Sequence, residues 1–200
     1  MAAVPDNFDK TKTLWNAGLV YVDITPPAAG AVVTLDASGK PDATENPNAR
    51  HVGFSDKGSK FSYKMTKADA TDDEHTAPHD SRITTESMMI SGTWKQILDE
   101  VLLAKISVGG QSATLTTPAG KKVSFGGKQA ITGLCILIVT PKKDDPTKFI
   151  QICGYSMFND AGVEVTVTKD AENSTPFNFV GLALTARAVN DQLGFLFVPS

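Results

Sequence analysis

Apolar and polar positions alternate with a period of two along most of this chain, and only one stretch carries a helical period. Residues 1–16 are polar with no clear period and read as an N-terminal arm. Ala17 to Ile24 (Ala-Gly-Leu-Val-Tyr-Val-Asp-Ile) is rich in β-branched and aromatic residues and predicts a first strand. Pro26-Pro27 ends it. The following residues, 25–50, hold four prolines and two glycines among Asp, Asn and Ser, which is loop chemistry interrupted by the short apolar run Val32 to Leu35. His51 to Tyr63 predicts a strand, a turn at Asp56-Lys57-Gly58 and a second strand with Phe61 and Tyr63 on one face. Residues 66–82 contain nothing able to fill a core and predict a long polar loop, after which Ile83 to Thr93 resumes β character.

Trp94 to Ile106 is the predicted helix. Ile97, Leu98, Val101, Leu102 and Ile106 make an apolar stripe, Lys95, Gln96, Asp99 and Glu100 face away, Thr93 can cap the start, and Gly109-Gly110 stops it. Further strands are expected at Ser112–Thr117, Lys121–Phe125, Ala130–Thr140, Lys148–Phe158, Val163–Thr168, Phe177–Val189 and Leu193–Val198. Strands, one helix, then strands predict a mainly β fold, a β-sandwich or barrel with one α-helix packed on it at about residues 94–106 and long extended loops.

The chain has 200 residues, which suits the arm plus one β domain over 17–200. Its formal charge of −3 argues against a basic nucleic-acid-binding surface. Met1 to Asp6 has neither a basic nor an apolar leader region, so no signal peptide is expected. The longest strongly apolar run, Leu134 to Val139, falls far short of the ~20 residues of a spanning helix, so no membrane is expected as a partner. Asn173-Ser174-Thr175 matches a glycosylation sequon, which matters only on a secretory route.

Two cysteines, Cys135 and Cys153, are too few for a disulfide framework or a Cys-rich zinc site. They lie in apolar runs on either side of the turn Pro141 to Pro146, nearly equidistant from its centre, so a hairpin there makes them cross-strand neighbours. Two small buried hydrophobes are the preferred reading in a reducing compartment, and a disulfide is the other.

The histidines are His51, His75 and His79. The densest polar cluster, Asp72-Asp73-Glu74-His75-Thr76-Ala77-Pro78-His79-Asp80, has ligand-type side chains. Pro78 keeps its histidines off a helix, and a polar loop lacks a rigid supporting shell, so a solvated or interface loop is preferred over a metal site. Gly126-Gly127-Lys128 lacks the remainder of a phosphate loop and reads as a hairpin turn. Asp99 and Glu100 read as a solvated or salt-bridged helix face. Trp15 and Trp94 suit core packing and interface anchoring equally. No nucleophile, base and stabiliser occur in recognisable context, so no enzyme and no cofactor is expected.

In this order the features resemble the tail tube (major tail) proteins of long-tailed bacteriophages, related in fold to the type six secretion tube protein. Three stretches carry the resemblance: Ala17 to Ile24 after a polar arm; Val52 to Tyr63 with the polar loop 66–82, running on through Glu86 to Thr93 into the helix at Trp94; and Lys148 to Tyr155, followed by Val163 to Thr168 and Thr175 to Leu184. The resemblance is a pattern of features over most of the chain, not a fixed motif, and segment 25–50 is longer than the pattern has. It implies a virion protein, assembled in the host cytoplasm, that forms stacked hexameric rings making a tube for DNA delivery. Closing a ring hides strand edges, and stacking with a non-closing rotation builds the tube. It implies inter-subunit contacts from Lys67, Asp69, Asp72, Asp73, Glu74, His75, His79 and Arg82, and further contacts from Phe8, Trp15, Phe195 and Phe197. The implied partners are copies of the chain itself, a tape measure protein, a tail terminator and a sheath, with DNA passing the lumen without sequence-specific binding. An acidic lumen wall of β-strands would repel DNA, whose phosphates are densely charged, and the helix would lie away from it. A capsid decoration or tail-terminator protein, and a ligand- or metal-binding β module using residues 72–80, are the alternative readings.

Overall fold

The computed structural model describes residues 18–53, 55–70, 80–94, 99–107, 111–126, 131–164 and 174–200; the side chains of 55–57, 70, 111 and 112 fall outside that description. The predicted N-terminal arm, with Phe8 and Trp15, therefore lies outside the described residues. In chain order the elements are β1 (Leu19–Val22), β2 (Arg50–His51), β3 (Ser55–Ala70), β4 (Asp80–Trp94), α1 (Glu100–Ile106), β5 (Gln111–Thr116), β6 (Ala119–Ser124), β7 (Leu134–Pro141), β8 (Phe149–Asn159), β9 (Thr175–Gly181) and β10 (Gly194–Phe197). Eight strands form one antiparallel sheet in the order β2-β1-β7-β8-β9-β4-β3, with β10 also beside β8; β5 and β6 make a separate hairpin. The large sheet ends at β2 and β3 and does not close into a barrel. The fold is mainly β, with one short helix.

β7 explains how the sheet is covered. From Cys135 to Thr140 every residue is buried, as expected for an uninterrupted apolar run with both faces covered. Ile136 and Ile138 join Val20, Val22, Ile90, Ile152 and Met157 on one face, where Leu102 and Ile106 of α1 and the rings of Trp94, Phe177 and Phe179 close over them. Trp94 stacks 4.1 Å from Phe177, and Gly92 permits this because a Cβ there would lie 2.7 Å from the Phe177 ring. Cys135, Leu137 and Val139 face the other way with Tyr21, Cys153 and Tyr155. That second face is covered mainly by an irregular segment carrying Ile24, Val33 and Leu35, rather than by a second sheet. Gln151, buried on β8, holds this segment down: its Nε2 donates to the Val33 carbonyl (2.9 Å) and its Oε1 accepts from the Val33 amide (3.1 Å).

Several expectations are corrected. The helix is Glu100–Ile106, not Trp94–Ile106: Trp94 ends β4 and pairs with Thr175, while Ile97 and Leu98 lie outside the described residues. Its cap is Asp99, not Thr93; the Asp99 carboxylate accepts from the Val101 and Leu102 amides, both at 3.0 Å. Asp56-Lys57-Gly58 is not a turn between strands but a register irregularity near the start of β3. The strand expected over Phe177–Val189 stops at Gly181 and gives way to turns. Val163 and Glu164 are not in a strand, and 165–168 lie outside the described residues, as do Gly127, Lys128, Gly109 and Gly110.

The largest correction concerns the polar loop at 66–82. β3 continues to Ala70 and β4 begins at Asp80, so 66–70 and 80–82 are paired strands of a long hairpin. The reading failed because polarity was taken to mean loop. A hairpin that leaves the body of a protein buries neither face, so its strands show no apolar alternation.

Candidate assembly surface

The outer half of the β3–β4 hairpin contributes no residue to the core, although Met88, Ile90 and Trp94 at its base do. β4 pairs with β9 from Met89 to Trp94; below Met89, among the described residues, the two hairpin strands pair only with each other. Residues 63–69 and 80–86 are all exposed. At about 3.4 Å per residue, the run from Tyr63 to Ala70 extends roughly 24 Å. Hydrogen bonds brace it across the strands. The Tyr63 hydroxyl donates to Glu86 (2.6 Å), which pushes the tyrosine pKa up. Asp69 accepts from the Ser81 hydroxyl and pairs with Lys67 at 3.1 Å; the Ser81 bond first, then Lys67, holds its carboxyl below the usual range.

The register gives this arm two unlike faces. Tyr63, Met65 and Lys67 alternate onto one face of β3. The pairing then slips, from Thr66 opposite Thr85 to Lys67 opposite Ile83, so that β4 carries one extra residue at Thr84. The slip puts Ile83 on the face of Met65 and Tyr63, the kind of re-aiming that β-bulges produce. Tyr63, Met65 and Ile83 are 47%, 58% and 57% exposed, so this is an apolar stripe in water. The opposite face carries Lys60, Ser62 and Lys64, paired with Ser91, Met89 and Ser87.

At the arm's base the stripe runs into a groove of about 680 Å³, lined by Phe61, Tyr63, Met88, Val189, Leu193 and Leu196 among others. Val189 is 85% and Leu196 56% exposed. The groove forms where the arm parts from β10. Among the described residues β10 pairs with β8 alone, and β4 has no strand beyond β9. Two unpaired backbone edges therefore lie near the cavity, and such edges accept further strands.

The predicted contact residues divide accordingly. Lys67, Asp69 and Arg82 lie on the paired strands of the arm, toward its far end. Asp72, Asp73, Glu74, His75 and His79 lie outside the described residues. Phe195 packs into the second core cluster, 6.0 Å from Tyr155, and Phe197 is half-buried opposite Gln151; in this region Leu196 and Val189 present the exposed apolar surface instead. Asp99 and Glu100 serve the helix, one as cap and the other through a 3.1 Å ion pair to Lys121 on β6. Trp94 is core. His51 accepts from the Gly53 amide and packs near Tyr21, and burial lowers its pKa.

Cys135 and Cys153 are free, buried, and in contact at 3.4 Å between sulfurs. They are not directly opposite each other: Cys153 faces Leu137, and Cys135 lies two residues along on the same face. Contact with Cys135, then burial, pushes the Cys153 thiol well up.

Sequence reasoning missed a cluster on this second face. Arg187 lies 3.7 Å above the Tyr155 ring, pairs with Asp191 at 2.8 Å and donates to the Pro27 carbonyl, while the Tyr155 hydroxyl donates to Asp191 at 2.7 Å. Burial and then Asp191 raise the Tyr155 pKa; Tyr155 and then Arg187 lower that of Asp191. The i,i+4 spacing of Arg187 and Asp191 was the available signal. The cluster ties the 182–193 turns to the segment covering the sheet.

Among the described residues no three His, Cys, Asp or Glu side chains converge as metal ligands, and no helix is long and apolar enough to cross a membrane. No protein-family model matches the chain, and no curated protein is significantly similar to it.

Proposed function

We propose that this protein is a structural subunit that assembles with copies of itself into stacked hexameric rings, the tail tube of a long-tailed bacteriophage. The observation that carries the reading is the β3–β4 arm. Building a hairpin of this length orders many residues at an entropic cost that no core burial of its outer half offsets. Its exposed Tyr63, Met65 and Ile83 have no cover among the described residues and gain burial from another molecule. A neighbouring subunit is the proposed other molecule, with the arm crossing from one ring to the next and the groove beside β10 receiving contacts in turn. Unpaired strand edges on the sheet suit ring closure. The formal charge of −3 suits a conduit that DNA passes without binding. A tape measure protein, a tail terminator and a sheath are the further partners of such a tube.

Negative-stain electron microscopy of the purified chain over a concentration series, beside light scattering, tests the proposal. Rings or hollow tubes of uniform width support it. A monodisperse monomer up to the solubility limit overturns it.

A further inference from the structure

We propose that Cys135 and Cys153 form an oxidation site, which a small disulfide of the glutathione class converts to an intramolecular disulfide linking β7 to β8. The proposal is independent of the assembly reading.

The two sulfurs are 3.4 Å apart on neighbouring central strands. A disulfide needs about 2.05 Å, so they must close by roughly 1.4 Å. β7 is paired on both edges, by β1 and β8, and β8 by β7 on one edge and by β10 and β9 on the other. The backbone thus holds the thiols together in every molecule, and the linking step is intramolecular. Both side chains are buried among apolar neighbours, where the S–H of one donates to the sulfur of the other.

The step balances as thiol–disulfide exchange. The Cys135 thiolate, the slightly more accessible of the two, attacks one sulfur of the small disulfide and expels one small thiolate. The Cys153 thiolate then attacks Cys135 Sγ in the mixed disulfide and expels the second. Two protein S–H bonds and one small S–S bond are consumed; one protein S–S bond and two small thiols result, the small thiols carrying the two protons. Since both cysteines lie on the face covered by the segment carrying Ile24, Val33 and Leu35, with Phe195 beside Cys153 on the neighbouring strand, the rate is set by opening of that cover. In a reducing compartment the pair stays open, and in an oxidising one it closes.

The test incubates the intact protein with oxidised glutathione at mildly alkaline pH, followed by intact mass and a non-reducing peptide map. The expected product has lost two hydrogens and joins the peptides of Cys135 and Cys153. Cys135→Ser and Cys153→Ser each fail to give it. The thermal midpoint of the linked wild-type protein rises by roughly 5–10 °C and returns on reduction, because the link constrains the unfolded chain. Two titratable thiols after incubation long enough for the cover to open, or a glutathione adduct that never resolves, overturns the proposal.

Discussion

Replacing Met65 and Ile83 together by threonine separates assembly from folding. Both side chains are more than half exposed in the single chain, on the outer part of the hairpin, where among the described residues β3 and β4 pair only with each other. Threonine keeps the β preference of both positions, so the arm remains paired. Folding stability should change by no more than about 0.5 kcal/mol, as for surface substitutions elsewhere. Assembly should respond very differently. Fully burying such a side chain is worth about 1.5–3 kcal/mol, and a little over half of each remains to be buried, so each contributes about 1 kcal/mol to a contact that covers it. The pair contributes about 2 kcal/mol, which raises the concentration needed for assembly about 30-fold. Light scattering over a dilution series reads this midpoint directly, and a urea titration of the monomer confirms the unchanged stability. Lys64→Thr is the control, because Lys64 lies on the opposite face opposite Ser87. The stripe argument is refuted if the double variant assembles at the wild-type concentration. It is equally refuted if Lys64→Thr impairs assembly as much.

Three further outcomes follow from the body of the fold. Gln151→Leu strips the buried Val33 amide and carbonyl of both partners; the expected loss is about 2–3 kcal/mol in denaturant unfolding, with faster hydrogen exchange at the Val33 amide. Gly194→Ala places a Cβ 2.0 Å from the Cys153 carbonyl oxygen, so β10 must shift off β8, and the denaturant midpoint should fall by an amount equivalent to at least ~1–3 kcal/mol. Asp191 titrates below its ordinary value of 3.8 because the folded state favours its ionised form, so its contribution is present above that value and is lost as pH falls through the lower folded pKa. Asp191→Asn should therefore flatten the acid limb of a plot of urea midpoint against pH, while leaving the slope near neutrality unchanged.

What could be read along the chain was whatever depends on local pattern against a buried face. The apolar run of β7 and the strands β1, β8 and β10 were foreseeable, because each alternates or runs apolar where a core requires it. The helix was legible in Val101, Leu102 and Ile106 but not in its start. Trp94 itself falls at a helical spacing from Val101 by coincidence: it is claimed by the aromatic stack with Phe177 and Phe179, which a sequence separation of some eighty residues conceals.

Only the tertiary structure decided three things. It made the polar residues 66–70 and 80–82 an arm, since strands that pair in open water carry no apolar signature, and the slip at Thr84 that aligns Ile83 with Met65 is a property of register. It made the proline-rich segment after β1 a cover for the second face, a role written in Gln151, a hundred and more residues away, as much as in the segment itself. It also set the cysteines diagonally rather than face to face: β7 and β8 keep one register from Pro141 opposite Phe149 to Leu137 opposite Cys153, so the hairpin centres on Asp145 and not midway between Pro141 and Pro146. In each case the deciding interaction joins positions distant in sequence, and its energy comes from burial and pairing that no local window contains.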